Sequence, residues 1–173
     1  FRHFTAVREV PDHFFEGTGI ERIRFPEKLN SIGNAAFKDC RYLKDITFAS
    51  ELEEIGNDAF LGCISLTELE IKGKDCTINN RAFSGCTGLE AVEFNEGLTS
   101  IGAYSFSGCT GLTELTLNAE LTTIGNYAFQ SCTKLETVNF NEKLATIGAS
   151  AFYGCARLTG DLIIPESVTS IGN

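Results

Sequence analysis

The chain has no methionine, only two histidines, fewer bases than acids, and no apolar run long enough to cross a bilayer. Each shortage closes off a class of function. Lys+Arg 14 against Asp+Glu 23 gives a formal charge of −9. That balance argues against nucleic acid or an anionic membrane surface as partner, since both are held through clustered Lys and Arg. Direct membrane insertion is excluded on the same page: a spanning helix needs about 18 consecutive apolar residues, and no secretory-signal pattern is visible either. The only imidazoles, His3 and His13, lie in or before an atypical first repeat without a nucleophile motif beside them. The expectation is therefore a non-enzyme with no catalytic residue, no metal and no cofactor. Lacking Met and starting at Phe1, the sequence has the look of a trimmed or processed chain. It stops at Ser170-Ile171-Gly172-Asn173, where another turn segment is due, which points to a piece of a longer protein.

What the sequence does contain is repetition. Cys40, Cys63, Cys86, Cys109, Cys132 and Cys155 follow one another at intervals of 23, each with a phenylalanine three residues before it and a leucine three residues after it. Ile32, Ile55, Ile78, Ile101, Ile124 and Ile147 keep the same interval of 23, with Gly after all but Ile78, where Asn79 stands. The unit reads L-x-x-I-x-F, a loop, L-x-x-I-G, then x-x-A-F-x-x-C-x-x. A faithful period of this length means one supersecondary unit stacked along an axis. Residues 1–173 should form a single solenoid domain of about seven repeats, the first degenerate and the last truncated. The first lacks its cysteine, so Phe15 to Phe37 is 22, and one extra residue near Gly160 makes Ile147 to Ile171 24. A doubled period is also present: Phe94-Asn95-Glu96 resembles Phe140-Asn141-Glu142 more than Leu117-Asn118-Ala119, which should alternate aromatic and aliphatic side chains in adjacent strands.

Apolar residues alternate around the isoleucine of L-x-x-I-x-F, which makes this segment a short strand. One such strand per coil should stack in parallel at about 4.8 Å into one long sheet. The loop turns at Gly, Asn or Pro, as at Phe25-Pro26-Glu27-Lys28. The glycine after the second isoleucine should relieve the backbone at the next bend. A-F-x-x-C is too short for a full helix but fits one helical turn.

Strand geometry then picks out a surface. The residues flanking the central apolar one face outward: Arg22/Arg24, Asp45/Thr47, Glu68/Glu70, Ala91/Glu93, Glu114/Thr116, Thr137/Asn139 and Asp161/Ile163. Arg22, Arg24, Asp45, Thr47, Glu68, Glu70, Glu93, Glu114, Thr116 and Asn139 are the candidate partner-binding residues. The row passes from basic through strongly acidic to neutral. Glu70 beside Glu93 repels and is not what stability alone selects. Two readings stay open: an acidic platform for a basic partner, or negative charge that keeps an exposed sheet soluble.

The cysteine column has a plainer reading. Equivalent Cα atoms about 4.8 Å apart lie within disulfide range, but parallel side chains cannot reach the dihedral near 90° without strain. A straight column cannot converge four ligands on zinc. Small buried thiols packed on phenylalanine are expected. Cys76, in Lys74-Asp75-Cys76-Thr77, is the odd thiol and is expected to be partly exposed.

At this point the residues resemble a family. Ile101-Gly102-Ala103-Tyr104-Ser105-Phe106-Ser107-Gly108-Cys109-Thr110-Gly111-Leu112 is similar to the repeat of bacterial leucine-rich-repeat proteins of the treponemal, or BspA-like, type, with Ser105 for the usual Ala. The likeness runs from about Val10 to Asn173. It implies a leucine-rich-repeat solenoid: a curved right-handed coil with a parallel β-sheet on the concave face and short helical turns or short strands on the convex side. It also implies an exported protein, at the cell surface or in the periplasm, that binds a protein partner by adhesion to extracellular matrix or another cell. The alternatives are a structural solenoid forming homo-oligomers through its open ends, and a carrier of an apolar ligand or peptide in a groove near Asp75 to Asn80.

Overall fold

The computed structural model describes residues 7–73, 75–94, 96–118 and 120–173. His3, Lys74, Asn95 and Ala119, which enter the sequence reading, lie outside the described residues. Two strands recur per coil. The Ile-Gly segments give β1 (Glu9–Val10), β3 (Ser31–Ile32), β5 (Glu54–Ile55), β7 (Thr77–Ile78), β9 (Ser100–Ile101), β11 (Thr123–Ile124), β13 (Thr146–Ile147) and β14 (Ser170–Ile171). The L-x-x-I-x-F segments give β2 (Arg22–Arg24), β4 (Asp45–Thr47), β6 (Glu68–Ile71), β8 (Ala91–Phe94), β10 (Glu114–Thr116) and β12 (Thr137–Asn139). The whole is a parallel solenoid of about seven coils.

The long sheet is not where periodicity alone placed it. The two-residue Ile-Gly strands ladder continuously in the order β1-β3-β5-β7-β9-β11-β13-β14, whereas the longer strands divide into three two-stranded sheets, β2-β4, β6-β8 and β10-β12. Close backbone approach explains the first half of this result. A Cβ built on Gly56 would lie 2.7 Å from the carbonyl carbon of Gly33, and one on Gly125 would lie 2.6 Å from that of Gly102. These glycines are not at positive φ. Their role is to let coils touch, not to relieve a bend as the sequence suggested.

The division of the other row follows the doubled period from Phe48 onward, while Phe25 stacked on Phe48, 6.2 Å between centroids, breaks the expected alternation at the first pair. Seams fall after Phe48 and Phe94, each time before an aliphatic counterpart, Ile71 or Leu117; after Phe140 no further strand of this row follows among the described residues. The Phe48 ring lies edge-on to Phe60 of its own coil and Phe83 of the next, at 5.8 and 6.5 Å between centroids. A ring filling the space between two coils takes the place of the backbone ladder there.

No helix is present among the described residues, so the expected helical turn at A-F-x-x-C is corrected. Alternate amides leave the coil. Ala35, Phe37 and Asp39 donate to Asn57, Ala59 and Leu61 of the next coil, while Ala36, Lys38 and Cys40 close turns onto Gly33, Ala35 and Phe37. A helix would keep every amide within the segment and leave the neighbouring coil's carbonyls unpaired. The alternation needs two left-handed residues per coil. One position holds Ala35, Asp58, Arg81, Tyr104, Tyr127 and Ser150, and the other holds Asp39, Gly62, Gly85, Gly108, Ser131 and Gly154.

Inside the coil, Phe15, Phe37, Phe60, Phe83, Phe106, Phe129 and Phe152 form one stack with centroid spacings from 5.0 to 5.5 Å. The leucines and isoleucines of both strand rows close around it.

Candidate functional site

In the second strand row side chains alternate in and out, and the alternation places the candidate residues on one face. Arg22 and Arg24 stand exposed around half-buried Ile23, and Asp45 and Thr47 around Ile46. Glu68 and Glu70 flank buried Leu69, Ala91 and Glu93 flank buried Val92, and Glu114 and Thr116 flank buried Leu115. Thr137 and Asn139 flank Val138. Asp161 and Ile163 are exposed too, but the extra residue of that coil leaves them outside any strand.

Charges on this face pair both across and within coils. Arg22 Nε meets Asp45 Oδ2 of the next coil at 2.9 Å, and Lys72 Nζ meets Glu70 Oε2 of its own coil at 2.8 Å. Glu70 is directly in register with Glu93, so the repulsion read from the sequence is built into the ladder. Further along, the Asn139 side-chain amide donates to the Thr116 hydroxyl at 3.3 Å. Depressions open on this face among the described residues. One of about 450 Å³ spans β4, β6 and β8 and is lined by Lys44, Asp45, Ile46, Glu68, Glu70 and Glu93 among others. Two smaller ones, about 240 and 260 Å³, lie between β12 and residues 158–165.

The cysteines do structural work. Cys63, Cys86, Cys109, Cys132 and Cys155 donate their thiol protons to the carbonyls of Phe37, Phe60, Phe83, Phe106 and Phe129, at 3.2 to 3.3 Å. All seven cysteines are free and buried. Burial pushes the Cys86 and Cys76 thiols up to about 12 and raises Cys63 further. Such thiols stay protonated and are poor nucleophiles. The expected exposure of Cys76 is corrected: it is 0% exposed. In its coil Asp75 stands where the others have a leucine (Leu52, Leu98), and Cys76 turns into the core beside it. At the other end His13 hydrogen-bonds Glu16, and with Lys38 it holds that carboxyl below its usual range. No nucleophile joins this pair among its hydrogen bonds.

One functional-looking feature escaped the sequence reading. The side-chain carbonyls of Asn34, Asn57 and Asn80 accept the amides of Asn57, Asn80 and Ala103, one coil on, at 2.9 to 3.1 Å. Asp12 begins this ladder by accepting from Asn34, and Asn126 resumes it with Ala149. Its signal was the asparagine recurring after Ile-Gly. The ladder is structural, since each member is used up by its neighbour.

Known proteins resemble this chain closely in architecture. The model of the BspA type leucine rich repeat region matches residues 8–78 and 74–173, in six copies. A leucine-rich repeat protein of Eubacterium ventriosum superposes with a TM-score of 0.80 at 30% identity, over 90% of this chain and 41% of that one. One from Bacteroides ovatus gives 0.65 at 26% identity, over 95% and 48%. The T. pallidum leucine rich repeat protein gives 0.65 at 28% identity, over 95% and 66%. The chain thus spans about half the length of the first two. No curated protein sequence matches it.

Proposed function

Because this chain belongs to the BspA-type leucine-rich-repeat family, we propose that it is a non-enzymatic protein-interaction module of an exported or surface-attached bacterial protein. Its outward strand face holds a protein partner in extracellular matrix or on another cell. The observation that carries this reading is the row of exposed side chains on β2, β4, β6, β8, β10 and β12, fixed by parallel pairing and underlain by a stacked core. A surface ordered before binding loses little entropy on contact, so many modest interactions can add up to useful affinity. The open depressions suit protein contact better than the enclosure of a small molecule.

The test is capture of immobilised matrix proteins and of whole cells by the purified chain. Arginines at Thr116 and Asn139, on this face, should weaken capture by about tenfold or more through steric and charge mismatch. Arginines at Ser100 and Thr123, on the continuous sheet, should leave it unchanged. Equal loss from both pairs, or no capture by the parent chain, overturns the assignment.

A further inference from the structure

The outward face is built differently along its length, and the difference points to the chemistry of the partner. β10 and β12 carry Glu114, Thr116, Thr137 and Asn139, a nearly neutral set. β4, β6 and β8 carry Asp45, Glu68, Glu70 and Glu93. Charge that served only to keep an exposed sheet in solution would be needed on both halves. It is instead gathered on one, at the cost of placing Glu70 beside Glu93. Arg22 and Lys72 answer Asp45 and Glu70, while Glu68 and Glu93 form no ion pair among the described residues.

The backbone is open at the same place. Lys44 donates its amide to Glu21, and Glu90 donates to Thr67, each at 2.8 Å across a laddered boundary. Between β4 and β6 no such bond exists among the described residues. The depression of about 450 Å³ lies over this seam, with Ile46 and Leu69 in its floor and Asp45, Glu68, Glu70 and Glu93 around it against one cation, Lys44. An apolar floor suits an aliphatic stem, and an excess of carboxylates suits a cationic head.

We infer, resting on the reading of this face as a protein-binding surface, that the seam hollow takes an arginine or lysine side chain carried on an extended segment of the partner. The occupant is cationic protein, and its grip combines charge with apolar contact to Ile46 and Leu69.

The probe is a labelled peptide of about ten residues alternating arginine and threonine, long enough to cross the hollow in extended form. Its binding is followed by fluorescence anisotropy at about 20 and about 150 mM salt. Glu68→Gln with Glu93→Gln should weaken binding about tenfold and flatten its salt dependence. Glu51→Gln with Glu166→Gln removes the same charge from exposed sites elsewhere and should change binding less than about twofold. Equal weakening by the two pairs means diffuse attraction to an acidic protein and overturns the inference. So does a parent chain that ignores the peptide while still capturing cells in a manner blocked by the Thr116 and Asn139 arginines. In that last case the protein-binding role stands and only its cationic specificity falls.

Discussion

Ser105 occupies a position that Ala36, Ala59, Ala82, Ala128 and Ala151 fill in other coils. It is 0% exposed, and its hydroxyl has no hydrogen-bond partner among the described residues. Removing an unsatisfied buried hydroxyl relieves its desolvation cost, so Ser105→Ala should stabilise the chain by about 1 kcal/mol, read as a rise in the urea midpoint. At this scale the sequence was informative wherever a residue's role was fixed by its own coil. The phenylalanine and cysteine columns followed from the interval alone, as did the outward set from Arg22 to Asn139. The left-handed Ala35 and Tyr104 were hidden, because nothing local favours that conformation. It is imposed by amides that must reach the next coil. Cys76 was misplaced for a similar reason: the missing leucine at Asp75 leaves core volume that the adjacent thiol fills.

Strands and turns show the limit of periodicity more clearly. Both L-x-x-I-x-F and the Ile-Gly segment fit short strands, and hydrophobic alternation cannot say which row will ladder without interruption. Close approach at the Ile-Gly bends favours the unbroken row, since a Cβ on Gly56 or Gly125 would meet the coil before it, although β7, followed by Asn79, ladders too. The doubled period of Phe48, Phe94 and Phe140 was visible in the sequence, yet its consequence, a seam after Phe48 and after Phe94, needed the neighbouring coil to be seen. The seams make a measurable distinction. Amides of Thr67 and Thr113, which face seams, should exchange with solvent deuterium at least about tenfold faster than those of Lys44, Glu90 and Glu136, their laddered counterparts. Uniform protection along the row would show the strand face to be one continuous ladder after all.

The whole molecule is quasi-one-dimensional, so its stability is shared along stacked columns rather than gathered at one centre. The thiol column gives this a pH signature. Cys86 and Cys76 rise from an ordinary 9.0 to about 12 in the fold, and Cys63 and Cys109 rise as well, all through burial first. A thiol with a raised folded pKa favours the folded state fully below pH 9.0 and loses that advantage as pH climbs through about 12. Unfolding free energy should therefore fall in alkali by up to about 1.4 kcal/mol per pH unit for each of these raised thiols. Urea titrations across that window should show a shallower fall in Cys86→Ala, even though that variant starts from lower stability. A slope unchanged by the substitution would mean other groups govern alkaline unfolding.

Near-identical coils carry a hazard that compact folds avoid: during folding, a segment can dock one whole repeat out of place and still bury its apolar residues. The alternation of ring and aliphatic side chains at the seams bears on this. A shift by a single coil would set Phe94 where Leu117 belongs, forcing a larger side chain into a space closed around a smaller one, although the first coils do accommodate Phe25 beside Phe48. A shift by two coils meets no such obstacle within the interior, but the missing cysteine of the first coil and the added residue near Gly160 stand at opposite ends as markers that no displaced copy can match. Local irregularity thus distinguishes segments along the stack that are otherwise look-alikes.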